Sequence, residues 1–483
     1  MSRKVIYFLL FLAAAGLRLA ILFRQELIPG VNGGYYPLQV RSLLENGRLG
    51  FADMPLYFWF NAFWVKAIAL FYSAPEESWI IPVVKTVDAF FLPLLLIPLY
   101  FIAKEFRRPK QPGLWWEAAV ATFAVAAPWP LMFTGDLQKN AFAIPFFFAF
   151  LLFGLKYLRR PSRPLFLGGI LCVLLAGLAH FGVFVIAVAT LGLGLFVAIL
   201  RPGKSDSSES GVRKAPKWAA LALLSLALLS TGLVALFDSA RAWRLLTVAG
   251  EIFRHPALFG ALGPPELLGY FFSWLLAGLG AYALYQHKTQ LDISERVSIT
   301  TLTVLILLLS FPLLNADYAQ RLMLMLFVPQ SVLCLLLFRL LPPSWSNILA
   351  TALLILCLAF SPGVLHFKQP VLSQAAYDEL EGLKSQLPLD ENTLAIARHG
   401  LEWWAGWALH CKTGNEKGVN AETPEQYRQV FFLHQKKGKE ERGPAGKHPG
   451  FREPEPPFGE LLKTRELEYF QVYRWQTTQG EGY

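Results

Sequence analysis

The sequence has little charge and few cysteines for its length of 483 residues. Charged side chains make up 16% of it, whereas ordinary globular domains carry roughly a quarter. It has four cysteines, no CxxC or HExxH motif, no Walker loop and no convincing GxGxxG. These shortages argue against a secreted disulfide scaffold and a soluble two- or three-domain enzyme, and they leave soluble-type nucleotide chemistry without support.

Hydrophobic residues, by contrast, are abundant. They make up 54% of the chain, aromatic residues make up 14%, and the mean hydropathy is +0.42. This composition excludes a disordered chain and is typical of a membrane protein. The net charge of +10 would suggest nucleic acid in a soluble protein; in a membrane protein it is first compared with topology.

Long apolar runs predict many membrane crossings, since a crossing helix needs about 20 mostly apolar residues. Nine runs qualify: 5–23, 80–103, 114–133, 140–158, 218–237, 267–285, 297–314, 322–341 and 347–366. The longer run 165–200 is interrupted by Gly177, His180 and Gly182, which predicts two shorter helices that meet at His180. We therefore expect eleven crossings. The first is expected to be an uncleaved helix, because Arg18 interrupts its apolar core.

Segment 55–72 is apolar enough to span, but its dense aromatic residues and its Asn61 and Lys66 suit the membrane interface. With this segment in the outer interface and the N-terminus in the cytoplasm, the inner loops hold a large excess of Lys and Arg. If the segment spans instead, that bias is lost. The charge therefore predicts a multi-pass membrane protein with its N-terminus in the cytoplasm and its C-terminal part outside. We expect it in the bacterial inner (plasma) membrane.

The expected fold is an all-α polytopic membrane protein of about 11–12 transmembrane helices with a small C-terminal α/β domain. Residues 1–366 form the membrane domain, with a first outer loop at 24–54. Residues 367–483 form the extracytoplasmic domain. In it we expect helices at 373–387 and 401–410, strands at 393–398, 429–434 and 467–475, and a solvated stretch at 436–457. No disulfide is expected there, because only Cys411 lies in that domain.

Polar residues gather on the predicted outer side, where ionisable groups in or beside spans are functional candidates. The candidates are Glu26, Asn32, Tyr35, Tyr36, Arg41 and Asp53 of the first outer loop, Asp136 and Lys139 of the turn 134–140, His180, and Arg321 at the start of a late span. A further charged loop spans 238–265. Each has a purely structural alternative, such as a helix-connecting turn for Asp136, a headgroup contact for Arg321 or interface anchoring for the tyrosines.

A wet, charged cleft at the lipid boundary suits a substrate carried on a lipid phosphate. A sugar on a polyprenyl phosphate presents its reactive carbon at headgroup level. Its transfer needs cations for the phosphate leaving group, a role open to Lys139, His180 and Arg321. It also needs a carboxylate that takes a proton from the attacking hydroxyl, a role open to Asp53, Asp136 or Glu26.

The layout of the first 366 residues resembles membrane glycosyltransferases of the GT-C class. This class includes protein O-mannosyltransferases, aminoarabinose transferases of lipid A and oligosaccharyltransferase catalytic subunits. The sequence 32–36 resembles the start of the family's first-loop motif, and 53–56 with Trp59 resembles its Pro-Leu-aromatic segment. Gly135-Asp136 resembles its acidic second-loop site, and Arg321 resembles a position that meets the carrier lipid.

The resemblance implies an inverting glycosyltransferase that uses a polyprenyl-phosphate sugar donor and a lipid-linked, lipid A or protein acceptor. Many members have an acidic residue where Asn32 stands. The base must then come from Asp53, Asp136 or Glu26, unless the chain is inactive. Asp53 is the first choice and Asp136 the second. Tyr35, Tyr36 and Arg41 would then shape the acceptor cleft. The outer loops contain no DxD pair, so no metal or other cofactor is expected.

Two other functions use similar substrates. One is a transporter (flippase) of lipid-linked glycans, for which polar groups at the bilayer midplane are typical. The second is a polysaccharide polymerase or ligase. In the C-terminal domain, Arg398-His399-Gly400 also resembles the nucleophile motif of histidine phosphatases, but about 117 residues are too few for that fold.

Overall fold

The structure is a computed structural model that describes residues 2–107, 113–200, 231–232, 234–255, 264–419, 423–436 and 460–476. Most of the predicted crossing 218–237 and of the solvated stretch 436–457 lies outside the described residues, as does part of the loop 238–265. The helices of the membrane part are α1 (Arg3–Phe23), α2 (Tyr35–Asn46), α3 (Leu56–Ala69), α4 (Glu76–Phe91), α5 (Leu96–Phe106), α6 (Leu114–Ala126), α7 (Pro128–Met132), α8 (Gln138–Arg159), α9 (Arg163–Ala179), α10 (Phe181–Leu200), α11 (Ser239–Ile252), α12 (Pro264–Gln286), α13 (Ile293–Leu309), α14 (Ala316–Met325), α15 (Phe327–Leu340) and α16 (Pro343–Phe367).

Six spans among the described residues are long and apolar enough to cross a membrane. They are Arg3–Phe23, Glu76–Phe106, Gln138–Arg159, Phe181–Leu200, Leu267–Gln286 and Pro343–His366. Helices α14 and α15, which are bent by 43°, make a seventh if the pair counts as one span, and α9 is a shorter apolar helix. The chain is therefore an integral multi-pass membrane protein, and its helical hairpin at His180 agrees with the sequence.

Two predicted spans are broken rather than continuous. The run 114–133 forms α6 and α7, because Pro128 has no amide hydrogen to continue the helical ladder and Ala127 is extended. The run 322–341 bends between α14 and α15. There Pro329 removes the amide that would bond to Met325, four residues earlier.

Segment 55–72 contains only the 14-residue helix α3. At 1.5 Å per residue it is about 21 Å long, shorter than the roughly 30 Å hydrocarbon core. Its Trp59, Phe63 and Trp64 are exposed in the structure. The length and the exposed aromatic face favour the predicted interfacial placement.

The C-terminal part has the predicted α/β character. It contains α17 (Gln374–Gly382), β1 (Thr393–Ala397), α18 (Leu401–Leu409), β2 (Lys412–Asn415), α19 (Thr423–Gln426), β3 (Gln429–Gln435), β4 (Glu460–Glu466) and β5 (Phe470–Gln476). The sheet order is β2-β1-β3-β5-β4, with β1 parallel to β2 and β3 and β5 antiparallel to β3 and β4. Strands β2 and β4 and helix α19 are not among the elements predicted from the sequence. All four cysteines are free.

The C-terminal sheet is not separate from the membrane helices. One continuous cluster of buried apolar side chains includes Val40 and Tyr36 of α2, Trp404 of α18 and Phe431 of β3. Gly34 makes the closest approach, since a Cβ there would lie 2.9 Å from the Trp404 ring. The loop 24–54 is therefore packed between the membrane helices and the C-terminal domain.

Candidate functional site

Asp53 and Lys139 meet at the N-terminal end of α2. The Asp53 side chain is buried and forms an ion pair with the Nζ of Lys139, which lies in the first turn of α8. The hydroxyl of Tyr35 donates to the same carboxylate, and the backbone amide of Met54 donates to its Oδ1 at 2.8 Å. Asp53 and Lys139, two predicted site residues from distant parts of the chain, are therefore in direct contact. Tyr35, a third predicted residue, binds the same Asp53 carboxylate.

Gln39, which the sequence did not single out, holds this arrangement. Its Nε2 donates to the Tyr35 hydroxyl at 3.0 Å and to the Phe51 carbonyl at 2.9 Å, while its Oε1 accepts from the Phe51 amide at 2.9 Å. Gln39 is fully buried. Its position one helical turn after Tyr35 is the only sequence signal that could have identified it.

Asp136 is held next to the same helix end. Its Oδ1 accepts from the backbone amide of Asn32 at 2.8 Å and from the Asn32 side-chain Nδ2 at 3.0 Å. The Tyr36 hydroxyl donates to the Asp136 carbonyl at 2.7 Å and accepts from the Gln138 amide at 3.0 Å. Asn32 therefore acts as a hydrogen-bond donor to the Asp136 carboxylate.

Adjacent tyrosines link the two acidic residues: Tyr35 donates to the Asp53 carboxylate and Tyr36 to the Asp136 backbone carbonyl. The centroids of the two rings are 5.5 Å apart in an edge-to-face arrangement. Burial raises the pKa of both hydroxyls well above their ordinary range, and the neighbouring carboxylates, Asp53 for Tyr35 and Asp136 for Tyr36, raise it further. Both hydroxyls therefore remain protonated at physiological pH and act as donors.

Two glycines permit the close approach of the loop 24–54 and the turn 134–140. Gly135 has φ +79°, and a Cβ there would lie 2.4 Å from the Pro29 carbonyl oxygen. Gly30 has φ +97°, and its Cβ would lie 2.4 Å from the Asp136 Cβ. Side chains at either position would force the loops apart and separate Asn32 from Asp136.

The cation of Lys139 lies among aromatic rings. Its Nζ is 5.4 Å from the Tyr35 ring centroid and 5.7 Å from that of Phe58. Trp403, from α18 of the C-terminal domain, has its ring 5.0 Å from those of Tyr35 and Phe51. Trp403 therefore contributes a side chain of the C-terminal domain to the wall of the site.

The other predicted residues lie outside this cluster. Glu26 is exposed, and its backbone carbonyl accepts from Lys85. Arg41 is buried and donates to the carbonyls of Trp407 at 2.7 Å and Gly406 at 2.5 Å. Its guanidinium therefore attaches the C-terminal domain to α2 instead of facing the two carboxylates.

His180 lies between α9 and α10, where its Nδ1 accepts from the Val183 amide at 3.3 Å. Its neighbour Phe181 packs against a small cluster that contains Met54, the residue after Asp53. Arg321 is exposed on α14 and makes no hydrogen bond or ion pair with the described part of the chain. The contact of Phe181 brings the hairpin that contains His180 near Met54, whereas no contact among the described residues places Arg321 there.

Lys368 was also missed by the sequence analysis. It follows the last residue of α16, and its Nζ donates to the Met132 carbonyl at 2.6 Å, four residues before Asp136. Among the described residues, no group of three or more His, Cys, Asp or Glu side chains is arranged to hold a metal ion.

The comparisons with known proteins add evidence on the fold. No protein-family model matches the sequence, and no curated protein matches it. Two solved structures of ArnT from Cupriavidus metallidurans do match the structure, each with a TM-score of 0.56. The chain has the fold of ArnT.

The match with ArnT extends over nearly the full length of both chains. For ArnT bound to undecaprenyl phosphate, the identity is 12%, over 97% of this chain and 98% of that one. For ArnT in the apo state, the identity is 13%, over 98% of each chain. Because the ArnT match extends through the C-terminal domain, it confirms the predicted GT-C-like fold of membrane helices with a small α/β domain.

Proposed function

We propose that this protein is a membrane glycosyltransferase that transfers a sugar from a polyprenyl-phosphate-linked donor to an acceptor at the outer face of the membrane. The observation that carries the proposal is the assembly of Asp53, Asp136 and Lys139 around one helix end in a chain with the fold of ArnT. One of the matching ArnT structures is bound to undecaprenyl phosphate, which has the chemistry of the lipid carrier that leaves the sugar in the proposed reaction.

The proposed reaction is a single displacement at the anomeric carbon. A carboxylate accepts the proton of the acceptor hydroxyl, and the hydroxyl oxygen forms the new bond to that carbon. The bond between the carbon and the phosphate oxygen breaks, and its electron pair leaves with the polyprenyl phosphate. Attack from the face opposite the leaving group inverts the configuration of the sugar.

The contacts favour Asp136 over Asp53 as the proton acceptor. Asp136 is only half-buried, and its Oδ2 has no hydrogen-bond partner in the described residues. Asp53 is buried, and both of its oxygens have partners, one of which is the Lys139 cation. Because donors already occupy both oxygens of Asp53, this residue is better suited to orient Lys139.

Lys139 is the proposed partner of the leaving phosphate. A buried ammonium stabilises the negative charge that develops on the phosphate oxygen more strongly than one in water does. His180 lies on the Met54 side and Lys368 on the Asp136 side of this cluster, so both are candidates for further phosphate contacts. For Arg321, the exposed position favours a contact with the carrier lipid rather than with the reacting atoms.

The donor and acceptor can be identified together by mass spectrometry of lipid-linked sugars and glycans in a deletion strain. We expect the donor to accumulate and one sugar to be missing from a lipid-linked, lipid A or protein acceptor. Purified protein should then transfer that sugar from the polyprenyl phosphate. A defect in translocation with unchanged glycans would favour a flippase, and shortened polymers would favour a polymerase or ligase.

A further inference from the structure

Arg18 and Asp88 form a fully buried ion pair inside the membrane domain. The Arg18 Nη2 lies 2.9 Å from the Asp88 Oδ1, and both side chains have no exposed surface. Arg18 lies on α1, five residues before its end, and Asp88 lies on α4. Charged groups at such depth are costly, and replacing a buried ion pair by apolar residues is often neutral or stabilising. Helix packing alone therefore gives little reason for this pair.

Each member of the pair also holds the segment 130–135, which leads into Asp136. The Asp88 Oδ2 accepts from the Gly135 backbone amide at 2.8 Å. The Arg18 Nη1 donates to the Pro130 carbonyl at 3.2 Å, and its Nε donates to the Asp88 carbonyl at 3.1 Å. The pair thus binds the backbone on both sides of the segment that leads into Asp136.

The hydrogen bond to Gly135 has a direct geometric effect on Asp136. Gly135 has a positive φ that few other residue types adopt. Its amide, which directly precedes Asp136 in the chain, donates to the buried Asp88 carboxylate. The Asp136 carbonyl is fixed by Tyr36 and its Oδ1 by Asn32. The bond from the Gly135 amide to Asp88 is the third attachment of this turn, so the direction of the Asp136 side chain depends on Asp88.

We propose that Arg18 and Asp88 are positioning residues that hold Asp136 in its reactive orientation through the Gly135 amide and the Pro130 carbonyl. The proposal rests on the proposed function, in which Asp136 takes the proton of the acceptor. Asp88 has the larger part in it, because it contacts the residue immediately before Asp136. Arg18 orients Asp88 through the ion pair.

Two double variants of the full-length protein test the proposal, since a single substitution would leave one buried charge without its partner. R18M/D88N removes both charges but leaves one side-chain oxygen that can accept from the Gly135 amide. R18M/D88L removes both charges and that acceptor. Thermal unfolding in detergent verifies that the two variants are equally folded. A difference between them in amide exchange or in sugar transfer then reports the Gly135 hydrogen bond.

Hydrogen exchange of the Gly135 amide is the first readout, and it does not require catalytic activity. We expect the amide to exchange at least about tenfold faster in R18M/D88L than in R18M/D88N, because only R18M/D88N keeps a buried acceptor for it. Equal exchange in the two variants would overturn the proposal.

Sugar transfer is the second readout. We expect kcat to be about tenfold lower in R18M/D88L than in R18M/D88N, with the KM for the donor little changed, because a displaced base affects the chemical step. Equal kcat values in an active protein would overturn the positioning role. A wild-type protein that transfers no sugar would refute the proposed function, while the exchange difference would still report whether Asp88 anchors the turn.

Discussion

Lys139 forms an ion pair with Asp53, a buried carboxylate that lies 86 residues earlier in the chain. The pair joins the first outer loop to the start of α8, directly beside the turn that contains Asp136. Because Tyr35 donates to the same carboxylate, the positions of the lysine, the tyrosine and the acidic residue depend on one another.

Replacing Asp136 by Asn should remove the proposed base while keeping an oxygen for the bonds from Asn32. We expect kcat for sugar transfer to fall by about 10²- to 10⁴-fold, the usual range for a lost general base, with little change in KM. Steady-state assays on purified protein measure both constants. Activity within a factor of about three of the wild type would remove Asp136 from this role.

Replacing Asp53 by Asn should also abolish most transfer, but for another reason. The neutral amide no longer attracts Lys139, so the cation loses its fixed position next to the leaving phosphate. Membrane insertion, followed by fractionation, should be unchanged. Full transfer activity in this variant would exclude a role for Asp53 in the reaction.

Lys139→Met should weaken donor binding and slow departure of the phosphate. We expect the KM for the donor to rise and kcat to fall, each by about tenfold or more, since a buried cation is lost beside an anion. Lys139→Arg should restore part of the activity. Lys66→Met is the matched control, because Lys66 is an exposed lysine of α3, and a similar loss in that variant would show a general charge effect.

Gly135→Ala should destabilise the protein. The substitution places a Cβ 2.4 Å from the Pro29 carbonyl and puts an L-residue at φ +79°, a backbone cost of about 1–2 kcal/mol before the clash. The midpoint of thermal unfolding in detergent should therefore fall. Gly154→Ala, in the middle of α8 with no atom within 4 Å of the added Cβ, should leave it unchanged or raise it.

Arg41→Ala should loosen the C-terminal domain. It removes two hydrogen bonds from a buried cation to the carbonyls of Gly406 and Trp407, each worth roughly 1.5–3 kcal/mol when the donor is charged. Limited proteolysis should then cut the linker between α16 and α17 faster. Arg48→Ala, at an exposed arginine just after α2, is the control, and equal cleavage of the two variants would contradict the docking role.

Attachment of the C-terminal domain should weaken at acidic pH. Burial lowers the pKa of His410 from its ordinary 6.5, and the Arg41 cation lowers it further, although Glu77, 3.3 Å away, opposes this. The unfolded state therefore binds the proton more readily, so the contribution of His410 to stability is complete above pH 6.5 and is lost as the pH falls below it. Proteolysis at a series of pH values measures this. His410→Asn, compatible with φ 53°, should reduce the pH dependence.

Much of the site could be predicted from the sequence. Hydropathy predicted the six spans that the described residues contain, although it also predicted further crossings. The turn 134–140 and the loop 24–54 were singled out because charged residues are costly beside apolar helices. Asp53, Asp136, Asn32, Tyr35, Tyr36 and Lys139 were all named, and the structure brings these six together. Gln39 and Lys368 could not be found in this way, because a polar residue on a loop helix and a lysine after a last span are common.

The sequence by itself determined that this is a multi-pass membrane protein with a helical membrane part and an α/β C-terminal part. The length of apolar runs, the positions of prolines and the alternation of residues in strands are local properties, so they can be read from the sequence. Only the tertiary structure decided which polar residues touch. It paired Asp53 with Lys139 and Asp136 with Asn32, used Arg41 to attach the C-terminal domain, and brought Trp403 to Tyr35. These contacts join residues far apart in the chain, so they depend on how helices pack and how loops are held, which no local pattern specifies.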